Sequence, residues 1–229
     1  GGNGVNNVTL IDRCNYVESG SASMNVTLKG SDNTIYGVGG NNTIVSNTGS
    51  NNFISGFGDA DNAQALSLAK GETKNLTING INYTVKNNSS NYSNAVLFSV
   101  NPVTGVVSFS GNNLTINGQS DVSHNVELYG SKLIFYGGDK DDVITQYSWN
   151  QRIYGQGGND KLTMYGSTWQ AYGGAGDDEI ILNSGAAYGD EGDDIITVNI
   201  ANGGIINGGL GNDTYNINAK VTNLSDTGG

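Results

Sequence analysis

Short runs of apolar, mostly β-branched residues recur along the first third of the chain, and turns rich in Gly, Asn and Ser separate them. Isoleucines stand at positions 35, 44 and 54, at a nearly even spacing, and an asparagine stands two positions before each. Short strands at such regular spacing are typical of the rungs of a β-solenoid. The pattern therefore predicts stacked coils over residues 1–61, with asparagines forming a polar ladder between them.

The regular spacing ends between residues 62 and 121, where pairs of short alternating runs take its place. Asn79-Gly80 lies between two alternating runs, which is the strongest short signal for a type I′ β-hairpin. Residues 101–105 (Asn-Pro-Val-Thr-Gly) separate two further alternating runs and predict a second hairpin with its proline in the turn. Residues 62–121 are therefore predicted to form an antiparallel β insertion in the solenoid.

A glycine- and aspartate-rich phrase recurs five times after residue 136, and each copy runs into an apolar strand pattern. The copies follow one another at a nearly constant spacing. Those that begin at Gly173 and Gly208 fit G-G-x-G-x-D-x-U without a mismatch, where U is a large apolar residue. The aspartates that recur in the sixth position of the phrase are Asp142, Asp160, Asp178, Asp194 and Asp213.

The chemistry of the phrase indicates calcium. Glycine accepts backbone conformations that turn carbonyl oxygens inward, and the aspartate adds a hard anionic oxygen. Ca²⁺ takes six to eight oxygen ligands in a flexible geometry, whereas Mg²⁺ requires a stricter octahedron. The same nonapeptide is typical of calcium-binding parallel β-helices.

On these motifs, residues 137–215 resemble the RTX (repeats-in-toxin) family of hemolysin-type calcium-binding repeats. The resemblance implies a right-handed parallel β-roll in which each ion lies between two successive turns. The earlier turn would supply the carbonyls of its second and fourth residues, the later turn those of its first and third, and aspartates of both turns would bridge. Transferred to this chain, the ligands of the first site would be Gly138, Lys140, Asp142, Gly155, Gly157 and Asp160; of the second Gln156, Gly158, Asp160, Gly173, Ala175 and Asp178; of the third Gly174, Gly176, Asp178, Gly189, Glu191 and Asp194; and of the fourth Asp190, Gly192, Asp194, Gly208, Leu210 and Asp213.

The chain departs from the family pattern in two ways. Lys140, Gln156 and Asp190 replace expected glycines. The half-turns between the phrases lack the aspartate, so only one edge of the roll is expected to carry ions, about four in all. Asp59 and Asp61 offer one further acidic turn that is explained equally well without an ion.

Composition narrows the functional classes. The formal net charge is −11, and 12 acidic residues against 3 basic ones fall between positions 139 and 213. Such a chain repels nucleic acids. Its single cysteine cannot form an intrachain disulfide, and no apolar run is long enough to predict a membrane span.

Other chemistry finds little support in the sequence. The chain has one histidine, His124, and no recognisable nucleophilic or zinc-binding arrangement, so no enzyme activity is expected. Tyr136, Tyr154, Tyr172 and Tyr188 each precede a phrase and are expected to stack. Trp149 and Trp169, near two further tyrosines, offer a candidate glycan-binding strip, although solenoids align identical side chains without any ligand.

The sequence thus predicts an all-β chain with three parts: degenerate solenoid rungs (1–61), an antiparallel insertion (62–121) and a calcium-binding roll (122–229). We expect it to be part of a longer bacterial protein that is secreted or held at the cell surface and rigidified by calcium. The RTX resemblance implies type I secretion as the route of export. In one interpretation, the chain is a structural module of an adhesin or a surface-layer protein. A secretion and folding domain of an exported enzyme or pore-forming toxin is the alternative. Neighbouring repeats, and self-association at an exposed solenoid end, are the expected protein partners.

Overall fold

The computed structural model describes residues 6–11, 16–19, 24–29, 34–37, 43–47, 53–55, 64–101, 104–148, 150–165, 170–199, 204–221, 223–226 and 228. All regular elements within these ranges are β-strands, 24 in number. No helix that could span a membrane is present in them. The chain divides into two compact units, residues 1–66 with 97–110, and residues 67–96 with 111–229.

The first unit contains two small parallel sheets. Strands β1 (Asn6–Leu10), β3 (Met24–Leu28) and β5 (Thr43–Asn47) form one sheet, and β2 (Tyr16–Ser19), β4 (Thr34–Gly37) and β6 (Phe53–Ser55) form the other. Consecutive strands alternate between the two sheets, so the chain coils, as the apolar spacing predicts. Equivalent residues lie in register, with Val8 opposite Val26 and Val26 opposite Ile44.

Strand β7 (Gln64–Leu68) crosses the boundary between the units. The hairpin of β10 (Asn94–Val100) and β11 (Val107–Asn112) is antiparallel, with Leu97 opposite Ser110. Its turn is closed by the amide of Asn101 donating to the carbonyl of Val106 at 2.8 Å. The predicted proline position lies outside the described residues, but the hairpin around it is confirmed.

The second unit begins with the other predicted hairpin. Strands β8 (Thr73–Ile78) and β9 (Ile81–Asn87) pair antiparallel, and Asn79 and Gly80 between them have φ of 50° and 80°. Two successive positive φ values are what a type I′ turn requires. Strand β12 (Leu114–Asn117) pairs antiparallel with β9 on one side and parallel with β14 (Ile134–Gly138) on the other. The antiparallel strands therefore continue directly into the parallel sheet.

The rest of the second unit is a β-solenoid with two strands per coil. One sheet contains β13 (Asn125–Ser131), β15 (Val143–Gln146), β17 (Lys161–Met164), β19 (Glu179–Leu182), β21 (Ile195–Val198) and β23 (Thr214–Ile217). The opposite sheet contains β12, β14, β16 (Arg152–Gly157), β18 (Gln170–Ala175), β20 (Ala186–Glu191), β22 (Ile205–Leu210) and β24 (Asn223–Ser225). Every strand except the last of each sheet pairs in parallel with its equivalent one coil later.

A thin apolar core lies between the two sheets, because alternate strand residues face inward. The core positions expected from the sequence at Ile144, Ile153, Leu162, Ile180 and Ile196 are all fully buried. Tyr215, which was expected to join them, is only half-buried. It lies in the last coil, where its hydroxyl contacts polar backbone groups of Gly208 and Ser225 instead of apolar side chains.

Candidate metal centre

The five phrases form the turns at one edge of the solenoid. Each phrase begins in the last residues of one strand and ends where the next strand starts; for example, the phrase that contains Asp160 joins β16 to β17. Parallel pairing at this nearly constant spacing stacks equivalent turns, as Gln156 opposite Gly174 illustrates. The five aspartates, scattered between positions 142 and 213 of the sequence, therefore lie in one row.

One carboxylate oxygen of each aspartate holds the preceding turn. The backbone amides of Asp142, Asp160 and Asp178 donate to Oδ1 of the aspartate one coil later, at 2.8, 2.7 and 2.8 Å. His124 donates in the same way to Asp142 at 2.6 Å, and Asp194 to Asp213 at 3.0 Å. Nothing in the sequence pattern indicated this aspartate ladder, which adds a structural role to each predicted ligand.

The second oxygen, Oδ2, has no such partner. In Asp142, Asp160, Asp178, Asp194 and Asp213 it is buried and accepts no well-aligned hydrogen bond from a described residue, and the first four of these residues are only 1–2% exposed. A buried carboxylate oxygen without a donor is strongly destabilising. Each turn therefore presents an anionic oxygen that needs a proton or a cation.

A backbone carbonyl of the following turn faces each of these orphaned oxygens. A Cβ built on Gly155 would overlap Asp160 Oδ2 and lie 2.6 Å from the carbonyl oxygen of Gly173. Gly137, Gly173 and Gly189 show the same arrangement with the aspartate of their own turn and the carbonyl of the next. The first glycine of the phrase is thus required for space. We call each set of first glycine, aspartate Oδ2 and facing carbonyl a cradle; the described residues form four, built on Gly137, Gly155, Gly173 and Gly189.

The remaining predicted donors lie in the same turns. Carbonyls of the second and fourth phrase residues (Gln156, Gly158, Gly176, Asp190, Gly192) point at the matching glycine of the next turn. Gln156 and Asp190 adopt φ of 84° and 80°, so these replacements keep the left-handed conformation of the glycines they replace. Gly138 and Lys140 do not adopt positive φ, and the first turn therefore differs from the later ones. The carbonyls of Glu191 and Leu210 accept backbone amides of Gly176 and Gly192.

The donor set suits a hard cation. Among the described residues, no group of three or more His, Cys, Asp or Glu side chains is arranged to hold a metal ion. A cation in a cradle would be bound by carbonyl oxygens together with carboxylates from adjacent turns. Oxygen-only shells of this kind favour Ca²⁺, whereas structural zinc sites require Cys or His. The cradles thus fit the ion that the sequence pattern indicates.

Burial also changes the acidity of the row. It raises the pKa of Asp142 and Asp194 to about 6, of Asp178 to about 7 and of Asp160 to about 8, and neighbouring carboxylates add to the effect. Protons and cations therefore compete for the same oxygens.

The metal-free protein is expected to lose stability as pH rises. An unfolded aspartate has a pKa of about 3.9, so between pH 4 and the raised folded values the native state binds more protons than the unfolded state. The free energy of unfolding then falls with pH. Thermal unfolding in chelator should show a melting temperature that decreases from pH 5 to pH 8. A melting temperature that increases over this range would contradict buried, cation-free carboxylates.

The fifth phrase position forms a second ladder that the sequence did not reveal. The amides of Asn159, Asp177, Asp193 and Asn212 each donate to the side-chain oxygen of the same position one coil earlier, at 2.7–3.0 Å. Asn and Asp serve equally here, because only a neutral or anionic oxygen acceptor is needed. The ladder is exposed. Its hydrogen bonds explain the frequent Asp-Asp and Asn-Asp pairs without acid–base chemistry.

The tyrosines stack as expected. Rings of Tyr136, Tyr154, Tyr172 and Tyr188 follow one another at 4.7 Å between centroids and within 9° of parallel. Tyr129, Tyr147 and Tyr165 form a second stack at 5.0 and 5.3 Å. Ring faces inside a stack cover one another, which leaves few faces for a sugar. Trp149, Trp169 and the acidic turn at Asp59 and Asp61 lie outside the described residues.

Comparisons of the chain with protein-family models, with curated proteins and with solved structures found no match. The functional argument therefore rests on the geometry of this edge of the solenoid.

Proposed function

We propose that the chain is a calcium-binding module of the RTX type, with one row of about four Ca²⁺ sites along a single edge of its solenoid. The observation that carries this proposal is the repeated cradle, in which a buried Oδ2 without a donor faces a backbone carbonyl of the next coil. Two oxygens that border the same small space with no hydrogen between them repel each other unless a cation lies nearby. The same arrangement recurs in four successive turns, so chance does not explain it.

Calcium supplies positive charge and a flexible oxygen shell to these positions. The chain's own residues do the rest. Asp160 and Asp178 are held in place by Oδ1, so Oδ2 is directed at the cradle before a cation arrives. First glycines keep the space open, and the apolar residue two positions after each of the first four aspartates anchors the turn in the core.

The acidic row also explains why such a module would fold outside the cell. Without cations its buried carboxylates oppose folding, and the thin core offers limited compensation. For extracellular calcium modules Kd is about 10⁻⁴–10⁻³ M, far above the calcium concentration of cytosol. The chain would then remain loose before export and become rigid at the bacterial cell surface or in the surrounding medium.

Coils without the acidic row also occur in this chain, which favours a structural role. The strands of the first unit pair at the same coil length as those of the second, since Val8 lies opposite Val26 just as Ile144 lies opposite Leu162. The sequence of the first unit nevertheless lacks the recurring aspartate phrase. A chain in which only some coils carry ion ligands suits a module of a cell-surface adhesin or surface layer, where calcium would stiffen those coils.

A calcium titration tests the proposal directly. Metal-free protein should gain β-sheet circular dichroism and melting temperature cooperatively between about 10⁻⁴ and 10⁻³ M calcium. A ligand that binds only the native state stabilises it by RT ln(1 + [L]/Kd), about 2.7 kcal/mol per site at 100 times Kd. Equilibrium dialysis should count about four ions per chain, and equal concentrations of magnesium should have little effect. A chain with the same melting temperature in chelator and in calcium would refute the proposal.

A further inference from the structure

The row of cradles ends abruptly at its N-terminal side, although the coils do not. Strand β12 pairs with β14, with Asn117 opposite Tyr136, and the amide of Gly118 donates to the carbonyl of Tyr136 at 2.8 Å. On the other sheet Asn125 lies opposite Val143. Residues 118–124 therefore form one more turn at this edge, with Gly118 in the place of the first glycine and His124 in the place of the aspartate.

The imidazole of His124 occupies the space that a carboxylate occupies in the later turns. A Cβ built on Gly118 would overlap the His124 ring, just as a Cβ on Gly137 would overlap Asp142 Oδ2. His124 is 2% exposed, and its amide donates to Asp142 Oδ1 as the aspartate amides do to their successors. The histidine is thus part of the aspartate ladder without being an aspartate.

Both ring nitrogens of His124 have partners. Nε2 lies 2.9 Å from the carbonyl oxygen of Gln119, which can only accept, so Nε2 carries the hydrogen. Nδ1 lies 3.3 Å from the hydroxyl of Tyr83, which donates to it in a neutral ring. The Nε2–H group thus donates a hydrogen bond to the carbonyl of Gln119, which belongs to the same turn. In the later turns Oδ2 has no such donor beside it.

The last turn of the row, at Asp213, has no such cap. A Cβ built on Gly208 would overlap Asp213 Oδ2 and the hydroxyl of Tyr215. The corresponding residue in the preceding coils is Ile144, Leu162, Ile180 or Ile196. The Tyr215 hydroxyl accepts the Gly208 amide at 2.9 Å and donates to the carbonyl of Ser225 at 3.4 Å. The hydroxyl hydrogen of Tyr215 is thus directed at Ser225, and Asp213 Oδ2 is left without a hydrogen-bond donor, as Oδ2 is in the four cradles.

We infer that His124 is the N-terminal end cap of the ion row: its ring places a side-chain hydrogen donor where a further cation would otherwise be needed, so the row begins at the turn of Asp142. The inference rests on the proposed calcium binding and adds what determines where the row of ions begins. It identifies His124 as the residue that excludes a cation from an otherwise similar turn.

The test is to convert the N-terminal cap into a ligand. His124→Asp should add a fifth calcium ion per chain by equilibrium dialysis and metal analysis, and should lower the melting temperature in chelator. Asn125→Asp is the matched control: it adds the same charge one residue away, on an exposed side chain, and should leave four ions. The double variant Tyr83→Phe/His124→Asp also removes the hydroxyl that donates to the imidazole in the wild type. It should likewise bind a fifth calcium ion.

Each outcome decides between the two claims. Wild-type protein that binds no calcium would refute the proposed function itself. Four ions in the wild type and four in a folded His124→Asp or double variant would overturn only the end-cap inference. Failure of both variants to fold in saturating calcium would also count against it, because an aspartate in this slot should then be stabilised as Asp142 is.

Discussion

Asp178→Asn is expected to shift stability in opposite directions with and without calcium. In chelator at pH 8 the variant should be more stable than wild type, on the order of 1 kcal/mol, because the amide keeps the Oδ1 acceptor for Asp160 and removes a buried charge. Its Nδ2 can also donate to the facing Gly189 carbonyl. In calcium the variant should lose about 2.7 kcal/mol for each site lost, at a concentration 100 times Kd. Thermal unfolding in both buffers measures the two effects.

Asp177→Asn is the matched control for this change. Asp177 is the adjacent residue, its carboxylate is exposed, and its ladder position is already asparagine in two other turns. Its calcium response should stay close to that of wild type, since surface substitutions usually fall within about 0.5 kcal/mol. Asp213→Asn should lie between the two, because Asp213 belongs only to the last turn. A calcium response of Asp178→Asn equal to that of Asp177→Asn would mean that the buried oxygens bind no ion.

Gly173→Ala is expected to block a cradle by adding a single methyl group. The new Cβ would overlap Asp178 Oδ2 and lie 2.7 Å from the carbonyl oxygen of Gly189. Gly173 does not have positive φ, so the effect would come from lost space and not from backbone strain. Overpacking of this kind costs about 1–3 kcal/mol. Calcium binding should drop by one or two ions per chain, measured by dialysis.

Gly157→Ala provides the comparison. A Cβ at Gly157 would meet no atom closer than 3.6 Å, and the equivalent position in the next turn is naturally Ala175. This variant should keep wild-type calcium binding and stability. If both alanine variants behaved alike, the first glycine of the phrase would be required for something other than the cradle's space.

Periodicity made most of the fold predictable from the sequence. The nearly constant length of the repeat determines which residues become neighbours, so stacked coils, the single acidic edge and the tyrosine stack all follow from it. Asn79-Gly80 likewise predicted its hairpin, because few other dipeptides tolerate two positive φ values.

The finer details of the site could not be read in this way. The repeat shows that the aspartates align. It does not show that one oxygen of each carboxylate accepts a backbone amide while the other has no hydrogen-bond donor. His124 appeared as an isolated histidine, because its role depends on Tyr83, which is distant in sequence. Tyr215 was expected in the core because the pattern recognises a large apolar residue and ignores its hydroxyl.

The aspartate ladder has a consequence for how the protein loses its structure. Because each Oδ1 holds the amide of the turn before it, every coil depends on its immediate neighbour, and a nearest-neighbour lattice describes such an array. One broken hydrogen bond of the ladder then marks a boundary between folded and unfolded coils, and unfolding can begin or end there. Under tension, the acidic segment would yield in steps of one coil and would recover from whichever coil remained intact.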